Sequence, residues 1–122
     1  MWFAAHVIMC FKFKDGKQDY FPVHENVFLI DAPSPEEAFE KAGGIARAEE
    51  TDCHGSLTYD GRPASLAYAG IRKLVHVQAG MADPGDRPVD GAEVTYSVLV
   101  VKGAKAFARL VKGEPVTVRY EE

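Results

Sequence analysis

Three side chains near the N-terminus are of types that bind metal ions or form reactive thiols: His6, Cys10 and His24. Residues 2–14 and 20–31 are rich in β-forming residues and are separated by an Asp-Gly turn, which predicts a β-hairpin. A register symmetric about this turn places His24 opposite Cys10, and His6 lies on the same face because strand side chains alternate. Thiolate and imidazole are preferred ligands of zinc and copper, so the three residues form a candidate metal site.

A second chemistry is open to the same three residues. A neighbouring histidine could activate the thiol of Cys10 as a nucleophile. The simpler interpretation is structural: Cys10 packs as a small hydrophobic residue and the histidines lie at the rim of a layer, since no fourth ligand is indicated. The sequence therefore predicts no catalytic residue and no cofactor, with zinc bound by His6, Cys10 and His24 as the alternative.

The remaining candidate residues carry weaker signals. Cys53 and His54 are adjacent, and adjacent side chains rarely point to a common centre, so a surface loop is expected there. Arg72 and Lys73 lie side by side in a predicted strand, where basic residues either protect a sheet edge or face a ligand. The sequence contains no phosphate-binding glycine loop, nucleophile elbow or paired-cysteine zinc motif, which favours a non-enzymatic protein.

The symmetric hairpin register also divides the side chains between two faces. It places Phe11 opposite Val23 and Ala5 opposite Leu29, on the face that is predicted to be core. The other face then carries Trp2, His6, Ile8, Cys10, His24, Asn26 and Phe28. Because this second face is half apolar, it requires a cover of its own.

Residues 34–50 carry the clearest helix signal. Ser34 is a good N-cap, Pro35 suits the first helical position, and Glu37 completes a capping box. Apolar residues then repeat at helical spacing. A shorter helix is predicted over 104–111.

The rest of the chain predicts strands and one long loop. Strands are expected at 56–59, 65–78, 93–101 and 115–120, and a mobile loop at 80–92. The order is therefore β-β-α-β-β-β-α-β. This order predicts a single α+β domain over 1–122, with a mostly antiparallel sheet and helices packed on one face.

Composition indicates which classes of partner and which cellular compartment to expect. The chain has 122 residues, a formal net charge of −4 and 47% hydrophobic residues, which is typical of a globular domain with no nucleic-acid partner. Two cysteines make no disulfide framework, no signal peptide is recognisable, and no apolar stretch is long enough to span a membrane. A cytoplasmic protein without a membrane partner is expected.

Four sequence phrases together resemble a family of small bacterial domains of unknown function. They are Trp2-Phe3-Ala4-Ala5-His6-Val7-Ile8, Ser34-Pro35-Glu36-Glu37-Ala38-Phe39-Glu40-Lys41-Ala42, the stretch from Tyr68 to Leu74, and Val94-Thr95-Tyr96-Ser97. The resemblance spans most of the chain and implies no activity, cofactor or catalytic residue. Cys10 and His24 lie outside these phrases.

These observations predict a non-enzymatic binding or assembly module. One strong helix can cover only one sheet face, so the chain is expected to form a homo-oligomer, a dimer in the simplest case, through the second face. An unidentified protein or small molecule is a further partner. The alternative is a small-molecule or metal-binding protein, or an enzyme, with its site at His6, Cys10 and His24.

Overall fold

The structure is a computed structural model that describes residues 1–78 and 87–122. It confirms the predicted α+β class and the order of elements. In chain order the elements are β1 (Trp2–Phe13), β2 (Val23–Asp31), α1 (Pro35–Ala48), β3 (Thr58–Tyr59), β4 (Arg62–Val77), β5 (Leu99–Val100), α2 (Ala104–Lys112) and β6 (Arg119–Tyr120).

The described residues form two antiparallel sheets. The larger has four strands in the order β2-β1-β4-β3, so that β1 is paired along both of its edges. The smaller pairs β5 with β6. Of the loop predicted at 80–92, residues 80–86 lie outside the described residues, and residues 87–92 contain neither helix nor strand.

Helix α1 begins where the sequence predicts. The Ser34 hydroxyl accepts a hydrogen bond from the Glu37 backbone N–H at 3.2 Å, which satisfies one of the amides that a helix start leaves unpaired. Ala38, Ala42 and Ala46 are fully buried along one side of the helix. Such small side chains let α1 lie close to the sheet, where it packs against β1, β2 and β4.

The core lies between α1 and one face of the four-stranded sheet. Its buried members are Phe3, Ala5, Val7 and Met9 from β1, Ile30 and Ala32 from β2 and the loop after it, and the three α1 alanines. The large side chains thus come from the sheet and the small ones from the helix, so the two layers fit closely together.

The predicted register of β1 with β2 is wrong by one residue. Ala4 lies opposite Leu29 and Cys10 opposite Val23, so every β2 side chain points to the face opposite to the predicted one. Phe28 therefore packs against the core under α1. The chain does not turn tightly at Asp-Gly: Phe11 N–H donates to the Pro22 carbonyl, and this bond sets the register.

Gln18 holds this connection in place. Its side-chain oxygen accepts from the Phe13 N–H, and its amide group donates to the carbonyls of Phe11 and Tyr20. These bonds fix a connection over residues 14–22 that is longer than a two-residue turn. A side chain in the connection, and not the turn type, therefore selects the register.

Among the described residues, α1 is the helix that packs on the four-stranded sheet, through contacts with β1, β2 and β4. No residue of α2 is buried. Indeed, no residue from 87 to 122 is buried. The last β-α-β unit pairs β5 with β6 in antiparallel orientation.

Candidate functional site

The sheet face away from α1 carries a partly buried network of polar and charged side chains, of which His6 is the most buried member. The His6 side chain is 2% exposed, and its Nδ1 donates to Glu25 Oε2 at 3.0 Å. Glu25 is also bound by Arg72: Nε lies 2.6 Å from Oε1 and Nη2 lies 3.1 Å from Oε2. Three neighbouring strands thus contribute one charged or polar group each, which fixes the position of the Glu25 carboxylate.

A β-bulge places Arg72 beside Lys73 on this face. His6 lies opposite Lys73 but Val7 lies opposite Ile71, so Arg72 is the extra residue in β4. A bulge breaks the strict alternation of a strand and lets two successive side chains reach one side. Both cations accordingly bond the same carboxylate, that of Glu122.

Glu122 comes to the bulge from the far end of the described chain. Arg72 Nη1 lies 2.7 Å from Oε1, Lys73 Nζ lies 2.8 Å from Oε2, and the Val98 N–H donates to Oε2 at 2.9 Å. The Arg72 guanidinium also lies 4.2 Å from the centre of the Tyr120 ring. The C-terminal segment is therefore attached to the sheet mainly through charge-assisted bonds, which are stronger than neutral ones.

The network shifts the pKa values of its carboxyl groups downwards. The hydrogen bond from Arg72, together with that from His6, lowers the pKa of Glu25. The bond from Lys73 is the main cause that lowers the pKa of Glu122 to about 2. Glu25 in turn raises the pKa of Arg72. All three groups are consequently charged at neutral pH.

His6 also forms a hydrogen bond through Nε2 with the Thr95 hydroxyl. The order hydroxyl, imidazole, carboxylate is that of a hydrolase triad. Thr95 does not line the cavities found beside α1 and α2 in the described part of the chain. The Glu25 carboxylate is moreover engaged by Arg72. The contact with His6 holds Thr95 on the sheet.

The structure does not bring the three predicted metal ligands together. His24 lies opposite Met9 on the α1 side, with its ring 5.2 Å from that of Phe11, whereas His6 and Cys10 lie on the other face. The corrected register is the reason for this separation. Within residues 1–78 and 87–122, no group of three His, Cys, Asp or Glu side chains could hold a metal ion.

Cys53 and His54 lie in an exposed loop, as the sequence predicts. Both have left-handed backbone angles, with φ of 55° and 57°, and Asp52 accepts a bond from the Gly55 N–H at 3.1 Å. Lys14 binds the same aspartate at 2.8 Å and is the main cause that lowers its pKa. The residues therefore form a turn anchored to the sheet.

Sequence reasoning identified His6, Arg72 and Lys73 but missed their partners Glu25 and Glu122. The basic pair in a strand is the available signal, because cations that lose part of their hydration are stabilised by acidic partners. Its partners could not be named, since they lie 47 to 50 residues away along the chain.

The fold and the network define a small α+β domain with one helix on a four-stranded antiparallel sheet and an ionic cluster on the other face. Residues 2–97 match the family described as Domain of unknown function (DUF4288), and the chain belongs to this family. No curated protein and no solved structure matches the chain. Among the described residues, neither helix is long and apolar enough to cross a membrane.

Proposed function

We propose that the chain is a non-enzymatic assembly module that dimerises through the sheet face away from α1. The observation that carries the proposal is a row of exposed aliphatic side chains on β2. Val23, Val27 and Leu29 are each 45–49% exposed and share this face, since they occupy alternate positions of the strand. The sequence predicts Phe28 on this face, whereas in the structure Phe28 lies on the α1 side and the apolar residues of β2 on this face are Val23, Val27 and Leu29.

This row is large enough to matter energetically. Its ends lie about 20 Å apart at the usual strand rise of about 3.3 Å per residue. Removing apolar surface from water stabilises a contact by about 25 cal/mol per Å². The row also continues onto β1, where Ile8 is only half-buried on the same face.

The occupant we propose is α2 of a second copy. On α2, Phe107 is 59% and Val111 is 70% exposed, and they lie one helical turn apart. These two residues give α2 an apolar side that its own chain leaves uncovered.

Charge favours the same pairing. The basic residues of α2 are Lys105, Arg109 and Lys112, and the helix has no acidic residue. β2 has the opposite character: it contains neither lysine nor arginine, and Asp31 at its end has a side chain that is 59% exposed. Complementary charge at the rim of an apolar contact favours the correct partner.

A twofold axis makes the arrangement complete. Each copy has one α2 and one β2 row. Two copies related by a twofold axis therefore form two identical α2–β2 contacts, and both surfaces of each copy are covered. Such a closed dimer does not propagate into a filament.

The first experiment measures mass by light scattering at micromolar concentration. Wild-type protein should have about twice the mass of one chain. Val27→Glu and Phe107→Glu should each shift the protein toward monomer, because either change places a charge in both contacts. The matched control is Phe39→Glu on the outer side of α1, an equally exposed phenylalanine that should leave the dimer intact.

Mixing the two variants tests the reciprocal geometry. The intact α2 of the Val27→Glu chain can dock on the intact β2 of the Phe107→Glu chain, so an equimolar mixture should regain dimer. If the mixture does not regain dimer, the contact is not between α2 and β2. A face-to-face contact between two β2 rows predicts that result. Wild-type protein that stays monomeric would overturn self-association itself.

A further inference from the structure

We infer that the Arg72–Lys73 bulge is a binding site for a polypeptide segment that carries an aromatic residue and a carboxylate two positions apart. In this structure the chain's own Tyr120 and Glu122 occupy the site. The ligand class is an extended peptide of a partner protein with the pattern aromatic-x-acidic. This inference does not depend on the proposed dimer.

The carboxylate half of the site satisfies both ligand oxygens. Arg72 Nη1 reaches one oxygen at 2.7 Å, and Lys73 Nζ reaches the other at 2.8 Å. The Val98 N–H adds a third donor at 2.9 Å. Three donors that converge on one carboxylate give the arrangement by which proteins recognise acidic groups.

The aromatic half uses the same arginine. The Arg72 guanidinium lies over the Tyr120 ring at 4.2 Å, a distance at which cation–π attraction is effective. In extended chain, residues two apart point to the same side, so Tyr120 and Glu122 can meet Arg72 together. Glu121 between them points elsewhere and pairs with Arg119 at 2.5 Å.

The receptor side chains are held without help from Glu122. Glu25 accepts two bonds from Arg72, through Nε and Nη2, which leaves Nη1 for the ligand. Lys73 donates to the Tyr96 carbonyl and lies 4.8 Å from that ring. A site whose groups are already positioned loses little entropy when it binds.

Outside the site, the present occupant is held by the two-residue pairing of β6 with β5 and by a hydrogen bond from the Glu121 N–H to the Val98 carbonyl at 2.8 Å. It belongs to the region from 87 to 122, in which no residue is buried, and Tyr120 lies in a strand of two residues. A receptor whose cations are positioned on the sheet, with an occupant in an exposed segment, is the arrangement of a site that an external segment can enter by competition. The internal segment acts at an effective concentration of about millimolar, so it masks the site against weaker ligands.

The experiment titrates full-length protein with a fluorescent peptide of sequence Val-Thr-Val-Arg-Tyr-Glu-Glu, which copies residues 116–122. Glu122→Ala vacates the carboxylate position and should bind the peptide at least about tenfold more tightly than wild type does, because the competing group is gone. Glu121→Ala removes the same charge one residue away and should behave like wild type. Equal affinity of Glu122→Ala and wild type would overturn the inference.

Two further arms define the ligand. Replacing the last glutamate of the peptide by glutamine, or its tyrosine by alanine, should weaken binding to Glu122→Ala by about tenfold each. Acetate that competes as well as the peptide would show a simple anion site and overturn the aromatic requirement.

The receptor is tested by Lys73→Met in the Glu122→Ala background, which should abolish the gain in affinity. Arg72→Met in the same background should do so too. Since Arg72 also binds Glu25 and its loss could unfold the sheet, Lys73→Met with an unchanged far-UV spectrum is decisive. A folded Lys73→Met protein that retains the full gain would overturn the site.

Discussion

Residues 1–78 and residues 87–122 are built from the same kinds of element but differ completely in burial. The first region encloses a core between α1 and a sheet whose longest strands have 12 and 16 residues. The second has strands of two residues and a helix of nine, and none of its residues is buried. Apolar composition alone therefore does not make a core: the elements must be long enough to enclose it.

The two helices show the same lesson in detail. The buried side of α1 consists of three alanines and Gly43, and its large Phe39 is half-exposed. The apolar side of α2 carries the larger residues Phe107 and Val111, yet it is exposed. A helix with small side chains packs closely on a sheet that presents large ones. Within residues 87–122, no such sheet lies beside α2.

The largest effect is expected from a truncation in the first region. Phe11 is 8% exposed, with its ring 4.8 Å from that of Tyr59. Phe11→Ala should lower the free energy of unfolding by about 3–5 kcal/mol, because it removes a buried aromatic group and leaves a cavity. Urea denaturation measures this change. A loss below about 1 kcal/mol would show that the first region does not depend on its aromatic packing.

The sequence was sufficient to predict which elements form but not how they pair. The Ser34 cap and the alanine spacing are local signals, and α1 accordingly begins where they predict. The hairpin register depends on a hydrogen bond between Phe11 and Pro22 and on the side chain of Gln18. Those contacts exist only in the folded connection, so the sequence alone favours the symmetric turn.

The candidate site was predictable only in part, for a related reason. The bulge that turns Arg72 and Lys73 to one side is a property of the pairing between β1 and β4. A strand considered alone alternates strictly and would separate them. Their partners Glu25 and Glu122 are distant in sequence, and only the tertiary fold brings them to the bulge.

A smaller effect, confined to the junction of the two regions, should follow acidification. Lys73 and Arg72 lower the pKa of Glu122 from 4.5 to about 2 in the folded protein. A group with a lowered folded pKa stabilises the contact above its unfolded pKa, and the contribution is lost as the pH falls through the folded value. The attachment of the C-terminal segment should therefore weaken progressively between pH 4.5 and 2.

The Val98 amide reports this attachment, because it donates to Glu122. Its hydrogen-exchange rate in Glu122→Gln should exceed that in wild type above pH 4.5, and the two rates should converge toward pH 2. Glu121→Gln serves as the control, since Glu121 bonds Arg119 and does not touch the bulge. If the ratio of the Val98 exchange rates in Glu122→Gln and wild type stays constant over this range, the Glu122 carboxylate does not hold the C-terminal segment.

The smallest effect is expected from the matching truncation in the second region. Phe107 is as large as Phe11 but is 59% exposed, so Phe107→Ala removes little surface that folding takes out of water. It should change the free energy of unfolding by less than about 0.5 kcal/mol, as for surface substitutions generally. The measurement is made in the Val27→Glu background, where any contribution of a dimer contact is already removed. A loss comparable to that of Phe11→Ala in this background would mean that residues 87–122 possess a core of their own, and the contrast between the two regions would then be wrong.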